Sequence, residues 1–224
     1  MSKVRQLALD LPGRPAQGRE DFFVAPANQL AVAKLDLWPR WSPAKLVVTG
    51  PAGSGKTHLV AVWSAVSGAT VLESEELADV DLAAPPKCVA IEGVDRIAGH
   101  DAHEIALFHL HNAIMDAGGS LLMTGRMPVG HWQIALPDLT SRLAAADTVS
   151  LDPPDDALLT AVLVKLFEDR QLIVPPDVIS YLVQRIDRSF TEAETIVRQL
   201  DHAAFSLRRR VTRSLAVEVL RERA

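Results

Sequence analysis

The chain has 224 residues, of which 48% are apolar, enough for one α/β domain with a sizeable core and a smaller helical unit. A formal charge of −5 argues against a protein that coats DNA by charge alone, so little direct DNA binding is expected. No apolar run reaches membrane-spanning length. The N-terminal Met-Ser-Lys-Val-Arg-Gln lacks a signal core, and the single cysteine, Cys88, fits a reducing compartment, so a cytoplasmic protein is expected.

Residues 1–20 read as a flexible tail broken by Pro12, Gly13, Pro15 and Gly18. The tail holds an extended apolar peptide, Gln6-Leu7-Ala8-Leu9-Asp10-Leu11, which is either a frayed terminus or a short docking motif. Phe22 and Phe23 follow, and this pair either packs beside a nucleotide base or joins the core. A helical pattern through Leu30, Ala33, Lys34 and Leu37 then ends near Trp38-Pro39.

Leu46-Val47-Val48 reads as a buried strand, and helical spacing begins at Lys56. Between them stands Gly50-Pro51-Ala52-Gly53-Ser54-Gly55-Lys56-Thr57, followed by His58, the full P-loop signature in its strand–loop–helix setting. Glycines let main-chain N–H groups turn toward a triphosphate, and the positive end of the following helix faces the same anion. Lys56 would reach the terminal phosphates, and the Thr57 hydroxyl would take a place on Mg²⁺. The cofactors expected are ADP or ATP with Mg²⁺.

A second strand is expected over 69–72, a short acidic helix and loop over 73–82, and a third strand over 87–91. Glu92 closes that third strand, which we place beside the P-loop strand as the acid of a Walker B pattern, orienting Mg²⁺ through water. The next residue, where a hydrolysing enzyme keeps a water-activating acid, is Gly93. A helix is expected over 103–117, with Leu107, Leu110, Ile114 and Ala117 inward. His103-Glu104 opens a metalloprotease-like pair, but position 107 is Leu, and His109 and His111 read as helix-surface residues. Further strands at 120–124 and 148–151 flank a short helix carrying Arg142. The whole predicts an α/β fold, a five-stranded parallel P-loop sheet sandwiched by helices over 21–152. An all-helical unit over 153–224 follows, with a capping box at Ser189 and Glu192. Arg208-Arg209-Arg210 either touch phosphates or complement a helix end.

This plan resembles AAA+ proteins, and the details are similar to the DnaA-related family. Asp21-Phe22-Phe23-Val24, Asn28-Gln29-Leu30-Ala31 and residues 50–58 resemble the initiator core. Ile91-Glu92-Gly93-Val94, Ile97-Ala98-Gly99, residues 121–125, Leu136-Pro137-Asp138-Leu139 with Ser141-Arg142-Leu143, and Ile186-Asp187-Arg188 look more like its regulatory branch, Hda. The resemblance implies a regulator that docks on the DNA polymerase sliding clamp through Gln6, Leu7, Leu9 and Leu11 and stimulates ATP hydrolysis by DnaA. Arg142 then matches a trans arginine finger. Three positions depart from the initiator pattern: Gly93 for the second acid, Arg126 for an acidic sensor, and Thr191 for the lid arginine at the nucleotide. Slow hydrolysis by the chain itself is therefore expected. Self-association into a homo-oligomer stays open. The competing reading is an autonomous ATPase, either a helicase-loader-like protein handling DNA or a small kinase, and a kinase would need an arginine-rich clamp that the lid lacks.

Overall fold

The computed structural model of the protein describes residues 23–80, 82 and 84–223. Its centre is β1 (Lys45–Thr49), five consecutive buried residues. A strand without exposed positions belongs in the interior of a parallel sheet covered on both faces. The sheet has the order β2–β3–β4–β1–β5, with β2 (Thr70–Glu73), β3 (Cys88–Glu92), β4 (Ser120–Gly125) and β5 (Asp147–Ser150). Every pairing is parallel, and Thr49 stands in register with Gly125 on one side and Ser150 on the other.

Strand alternation divides the core in two. Val47, Val89, Ile91, Leu121 and Met123 pack against α3 (Asp101–Asp116) and α4 (Pro137–Ala144) through Leu107, Leu110, Ile114, Leu139 and Leu143. Leu46, Val48, Ala90, Leu122 and Val149 pack against α1 (Gln29–Asp36) and α2 (Lys56–Ser67). Trp63 of α2 anchors this second face. The Trp41 ring stacks on it at 5.3 Å, and Trp38 meets it edge-on at 6.1 Å.

Three sequence expectations are corrected here. α1 buries Ala31, Val32 and Leu35, while Leu30, Ala33 and Leu37 face solvent. Both sets share helical spacing, and sheet geometry selects the less obvious one. Ala117 falls beyond the end of α3 and is exposed. His111 is buried at 5% exposure rather than lying on the surface, while His109 is exposed as expected.

After Ser150 the described residues contain no strand. α5 (Asp156–Asp169), α6 (Pro176–Val183), α7 (Phe190–Leu207) and α8 (Arg213–Arg221) enclose their own core around Leu163, Leu182, Ile196, Leu200 and Leu215. Side chains cap three of the four: Asp155, Ser189 and Thr212 accept main-chain N–H bonds from Leu158, Glu192 and Leu215. Such a cap contributes about 1 kcal/mol. The capping box at Ser189 is half formed. The Glu192 carboxylate grips Arg223 at 2.5 and 3.0 Å, and the Ser189 N–H donates to the Asp187 carbonyl instead. No helix among the described residues is long and apolar enough to cross a membrane.

One buried charge ties the loops to this frame. Glu104 of α3, 1% exposed, accepts the main-chain N–H groups of Gly99, Ala135 and Leu136 at 2.8, 3.0 and 2.8 Å. Burial alone would raise its carboxyl pKa, but the three donors outweigh burial and hold it below the usual carboxylate range. A depressed native pKa adds stability above the unfolded value near 4.5, and that stability is lost as pH falls further toward the native value. Urea unfolding between pH 7 and pH 3 should therefore show an acid-labile contribution that is missing in Glu104→Gln. At pH 7 that variant should be less stable by about 2 kcal/mol, because the amide serves fewer of the three donors.

Candidate nucleotide site

The loop leaves the C-terminal end of β1 and winds into α2. The Gly50 N–H donates to the Gly125 carbonyl at 3.2 Å, so the loop is tied to β4 from its first residue. Gly53 and Gly55 have φ of +72° and +100°, in the left-handed region that glycine adopts without strain. Both also lack room for a side chain. A Cβ at Gly53 would lie 1.8 Å from the Ser189 Oγ, and one at Gly55 would lie 2.9 Å from the Phe190 ring. Lys56 folds over the loop and donates to the carbonyls of Gly50 and Pro51, both at 2.7 Å. Burial, joined by the charge of Arg126, holds its ammonium below the ordinary lysine value against the pull of Asp95 and Glu92.

These residues fit a phosphate chain. The Ser54 Oγ is buried without a hydrogen-bond partner, and α2 starts at Gly55 with no side-chain cap, leaving first-turn N–H groups for an anion. Pro51 and Ala52 form the exposed outer rim, and His58 lies half-buried in the first turn of α2.

Thr57 donates its hydroxyl hydrogen to Glu92 Oε2 at 2.5 Å. Both are hard oxygen ligands of the kind Mg²⁺ takes. Among the described residues no three His, Cys, Asp or Glu side chains gather into a metal cluster, so these two would share a cation with phosphate oxygens. The expected place of the acid needs correction. β3 is not beside β1, because β4 lies between them, and Glu92 meets Thr57 because α2 packs across to β3.

Gly93 has φ +69°, and its N–H donates to Thr124 Oγ1 at 3.1 Å. A Cβ there would lie 2.3 Å from Arg96 Cζ. That guanidinium is fixed by Glu73 at 2.5 Å and Glu75 at 2.8 Å. The position of the missing acid is thus filled by a cation's head group, which no local reading of the sequence reveals. Asp95, also unassigned in the sequence, accepts the Arg126 N–H on Oδ2 at 2.9 Å and keeps Oδ1 buried without a partner. The signal for Asp95 was present, an acid three residues after Glu92, but it reads as an ordinary turn residue.

The lid meets the loop at the start of α7. The Phe190 N–H donates to the Gly53 carbonyl at 2.8 Å, and Thr191 lies exposed one residue further on. The sequence pointed to Thr191, whereas the contacts are made by Ser189 and Phe190. Phe23 is 45% exposed, so it does not join the core. Its chain segment runs beside the residue that follows Leu151, with the Asp152 N–H on the Ala27 carbonyl at 3.2 Å. Gln6, Leu7, Leu9 and Leu11 lie outside the described residues.

Arg142 lies at the opposite end of the sheet. Its carbonyl accepts from Lys45 Nζ at 2.8 Å, and Lys45 is the first residue of the strand whose last residue opens the loop. At ~3.3 Å per residue, β1 separates the two by roughly 13 Å. The guanidinium rests on α3: Nε donates to Asn112 Oδ1 at 2.7 Å, and Cζ sits 4.5 Å over the Phe108 ring. Arg142 therefore cannot serve the phosphates of its own loop.

Residues 156–220 match the family model described as the Hda lid domain. The fold is similar to domain III of the replication initiation protein DnaA from Thermotoga maritima, with a TM-score of 0.82 at 20% identity over 94% of this chain and 98% of that one. It is also similar to AMPPCP-bound DnaA from Aquifex aeolicus, with a TM-score of 0.70 at 17% identity over 86% of this chain and 67% of that one. A DNA replication initiation factor matches with a TM-score of 0.74 at 16% identity over 86% of this chain, which spans 66% of that chain's length. The match over residues 156–220 is thus to an Hda lid domain, and the chain as a whole has the fold of DnaA domain III.

Proposed function

We propose that the protein is a cytoplasmic regulator of replication initiation that binds ADP or ATP with Mg²⁺, docks on the sliding clamp and stimulates ATP hydrolysis by DnaA. The observation that carries this reading is the polarity of β1, with a phosphate-fitting loop at one end and Arg142 at the other. That Arg142 cannot reach its own loop supports a role for it at a neighbour's. The AMPPCP-bound DnaA of the same fold supports nucleotide as the ligand. In this reading Lys56 holds the terminal phosphates, Ser54 and the first-turn N–H groups of α2 cradle the chain, and Thr57 with Glu92 hold the metal. The metal neutralises phosphate charge. Gln6, Leu7, Leu9 and Leu11 supply the clamp contact. An autonomous ATPase handling DNA is less well served, because Arg96 fills the place of a water-orienting acid and Arg209 pairs with Glu218.

Nucleotide binding is read by thermal unfolding. Millimolar ADP with Mg²⁺ should raise the melting temperature by mass action, and Lys56→Ala should abolish the rise. An unchanged melting temperature in the wild-type chain would remove nucleotide from the proposal. The chain alone should turn over ATP well below the roughly 1 s⁻¹ of a working enzyme.

The regulatory step is read by DnaA hydrolysis with and without this protein and DNA-loaded clamp. Arg142→Ala should keep clamp and ADP binding yet lose stimulation, a finger being worth roughly 10³-fold or more in related chemistry. Lysine should restore little, since it lacks the planar fork. Alanine at both Gln6 and Leu7 should instead remove clamp binding and spare nucleotide binding. Full stimulation by Arg142→Ala would show that another residue acts on the partner.

A further inference from the structure

We propose that His111 and Lys45 are positioning residues for Arg142, coupling the two hydrogen bonds that hold it and so setting how its guanidinium is offered to a neighbouring subunit. The inference rests on the regulatory reading of Arg142 above. It begins from the way Arg142 is held. Arg142 lies in the last turn of α4, where carbonyls lack a partner within the helix, and its carbonyl accepts from Lys45 Nζ at 2.8 Å. Its Nε donates to Asn112 Oδ1 at 2.7 Å, and Nη1 makes a longer bond to the Asp138 carbonyl at 3.3 Å. The Lys45 bond fixes the main chain and the Asn112 bond fixes the base of the guanidinium. The fork beyond them points where these two anchors aim it.

His111 joins the anchors. Its ring, 5% exposed, places Nε2 3.2 Å from Lys45 Nζ and Nδ1 3.3 Å from Asn112 Oδ1. An ammonium only donates, so Nε2 accepts. An amide oxygen only accepts, so Nδ1 carries the proton, an assignment made from the hydrogen-bond network. One neutral tautomer therefore steadies Lys45 at the Arg142 carbonyl and Asn112 at the Arg142 Nε.

Packing alone does not call for these residues. Lys45 opens a strand whose other buried positions are Leu, Val, Val and Thr, and burying an ammonium beside a second cation is unfavourable. Burial, joined by the charge of Arg142, holds its pKa below the ordinary lysine value. The groups facing the ring are Lys45 from β1, Arg142 from α4, and Asn112 and Asp116 from α3. Burial, with the charges of Lys45 and Arg142, lowers the His111 pKa, while Asn112 and Asp116 pull the other way and are outweighed. The ring is thus neutral above its lowered pKa and charged only as pH falls through it. Once protonated, Nε2 ceases to accept, two donors face each other, and Lys45 is driven from the Arg142 carbonyl.

The test reads stimulation of DnaA hydrolysis by the full chain with DNA-loaded clamp. His111→Phe and Lys45→Met should each lower it by about tenfold or more, because a small misplacement at a reacting centre costs that much. ADP binding, at the far end of β1, and clamp binding should stay unchanged. His111→Gln keeps an acceptor and a donor and should recover part of the loss. The ratio of wild-type to His111→Gln stimulation should fall as the His111 ring titrates, followed by its own magnetic resonance signal, and the ratio removes the acid response of DnaA and the clamp. A reading without DnaA is the Arg142 Nε–H signal, identified by its absence from Arg142→Ala. It should exchange with water slowly in wild type and faster in both His111→Phe and Lys45→Met, so the second variant decides where the first does not fold. Stimulation by these variants within about twofold of wild type, unchanged Nε–H exchange, a ratio that stays flat while the ring titrates, or a matching loss of ADP binding each overturns the inference while Arg142→Ala still loses stimulation. Full stimulation by Arg142→Ala overturns the regulatory reading and this inference with it.

Discussion

A strand buried on both faces can carry chemistry only at its ends. All five residues of β1 are buried, and five residues of β4 on one side and four of β5 on the other complete the ladder that keeps it so. Its C-terminal end must turn sharply without exposing β5 or β4, which the glycine loop does. Its N-terminal end starts with Lys45, a buried lysine at 7% exposure. Parallel pairing then fixes the rest: every strand presents its C-terminal end to the loop, so Glu92, Gly125 and Leu151 converge there. Every N-terminal end collects on the other side, where Arg142 waits just before β5.

The Arg142 end is held by an arrangement that would be costly if any part were missing. Lys45 Nζ donates to the Arg142 carbonyl and lies 3.2 Å from His111 Nε2, while His111 Nδ1 lies 3.3 Å from Asn112 Oδ1. One tautomer satisfies these partners: a neutral ring that donates from Nδ1 to Asn112 and accepts on Nε2 from Lys45, an assignment made from the hydrogen-bond network. Burial, with Lys45 and Arg142 close by, pushes the His111 pKa down and keeps the ring neutral at physiological pH. Asn112 Oδ1 is thereby shared between His111 and Arg142, so the orientation of the Arg142 side chain is linked to the first residue of the central strand.

Much of the fold was legible because its signals were local and strong. The strand runs, the glycine loop and the α7 stripe of Ala193, Ile196, Val197, Leu200 and Ala204 each stand out in one window, and all five stripe residues are buried. What failed to show was whatever depended on a partner distant in sequence. α1 had two faces of nearly equal apolar content, and only the sheet could choose between them. His111 reads as polar surface until Lys45, 66 residues earlier, supplies its hydrogen bond. The separation of β1 from β3 by β4 is a matter of strand order, which adjacency in sequence does not encode. The loop's contact with Ser189 and Phe190 joins residues more than a hundred positions apart, and a helix-start serine gives no hint of it.

The glycine at 93 shows how such a distant partner changes the meaning of a residue. From sequence it is a deletion, a side chain absent where an acid would orient water. In the fold it is a steric allowance: at φ +69° a side chain would be strained, and Arg96 with its two glutamates already occupies the space. An acid placed there would have to take up a strained main-chain conformation and displace the ion-paired Arg96 head group. The phosphate-facing parts are arranged oppositely. Lys56, Thr57, Ser54 and the uncapped first turn of α2 are all in place. The loop thus keeps the groups that fit a phosphate chain while a guanidinium fills the space at Gly93, a pairing that the sequence reads only as a missing acid.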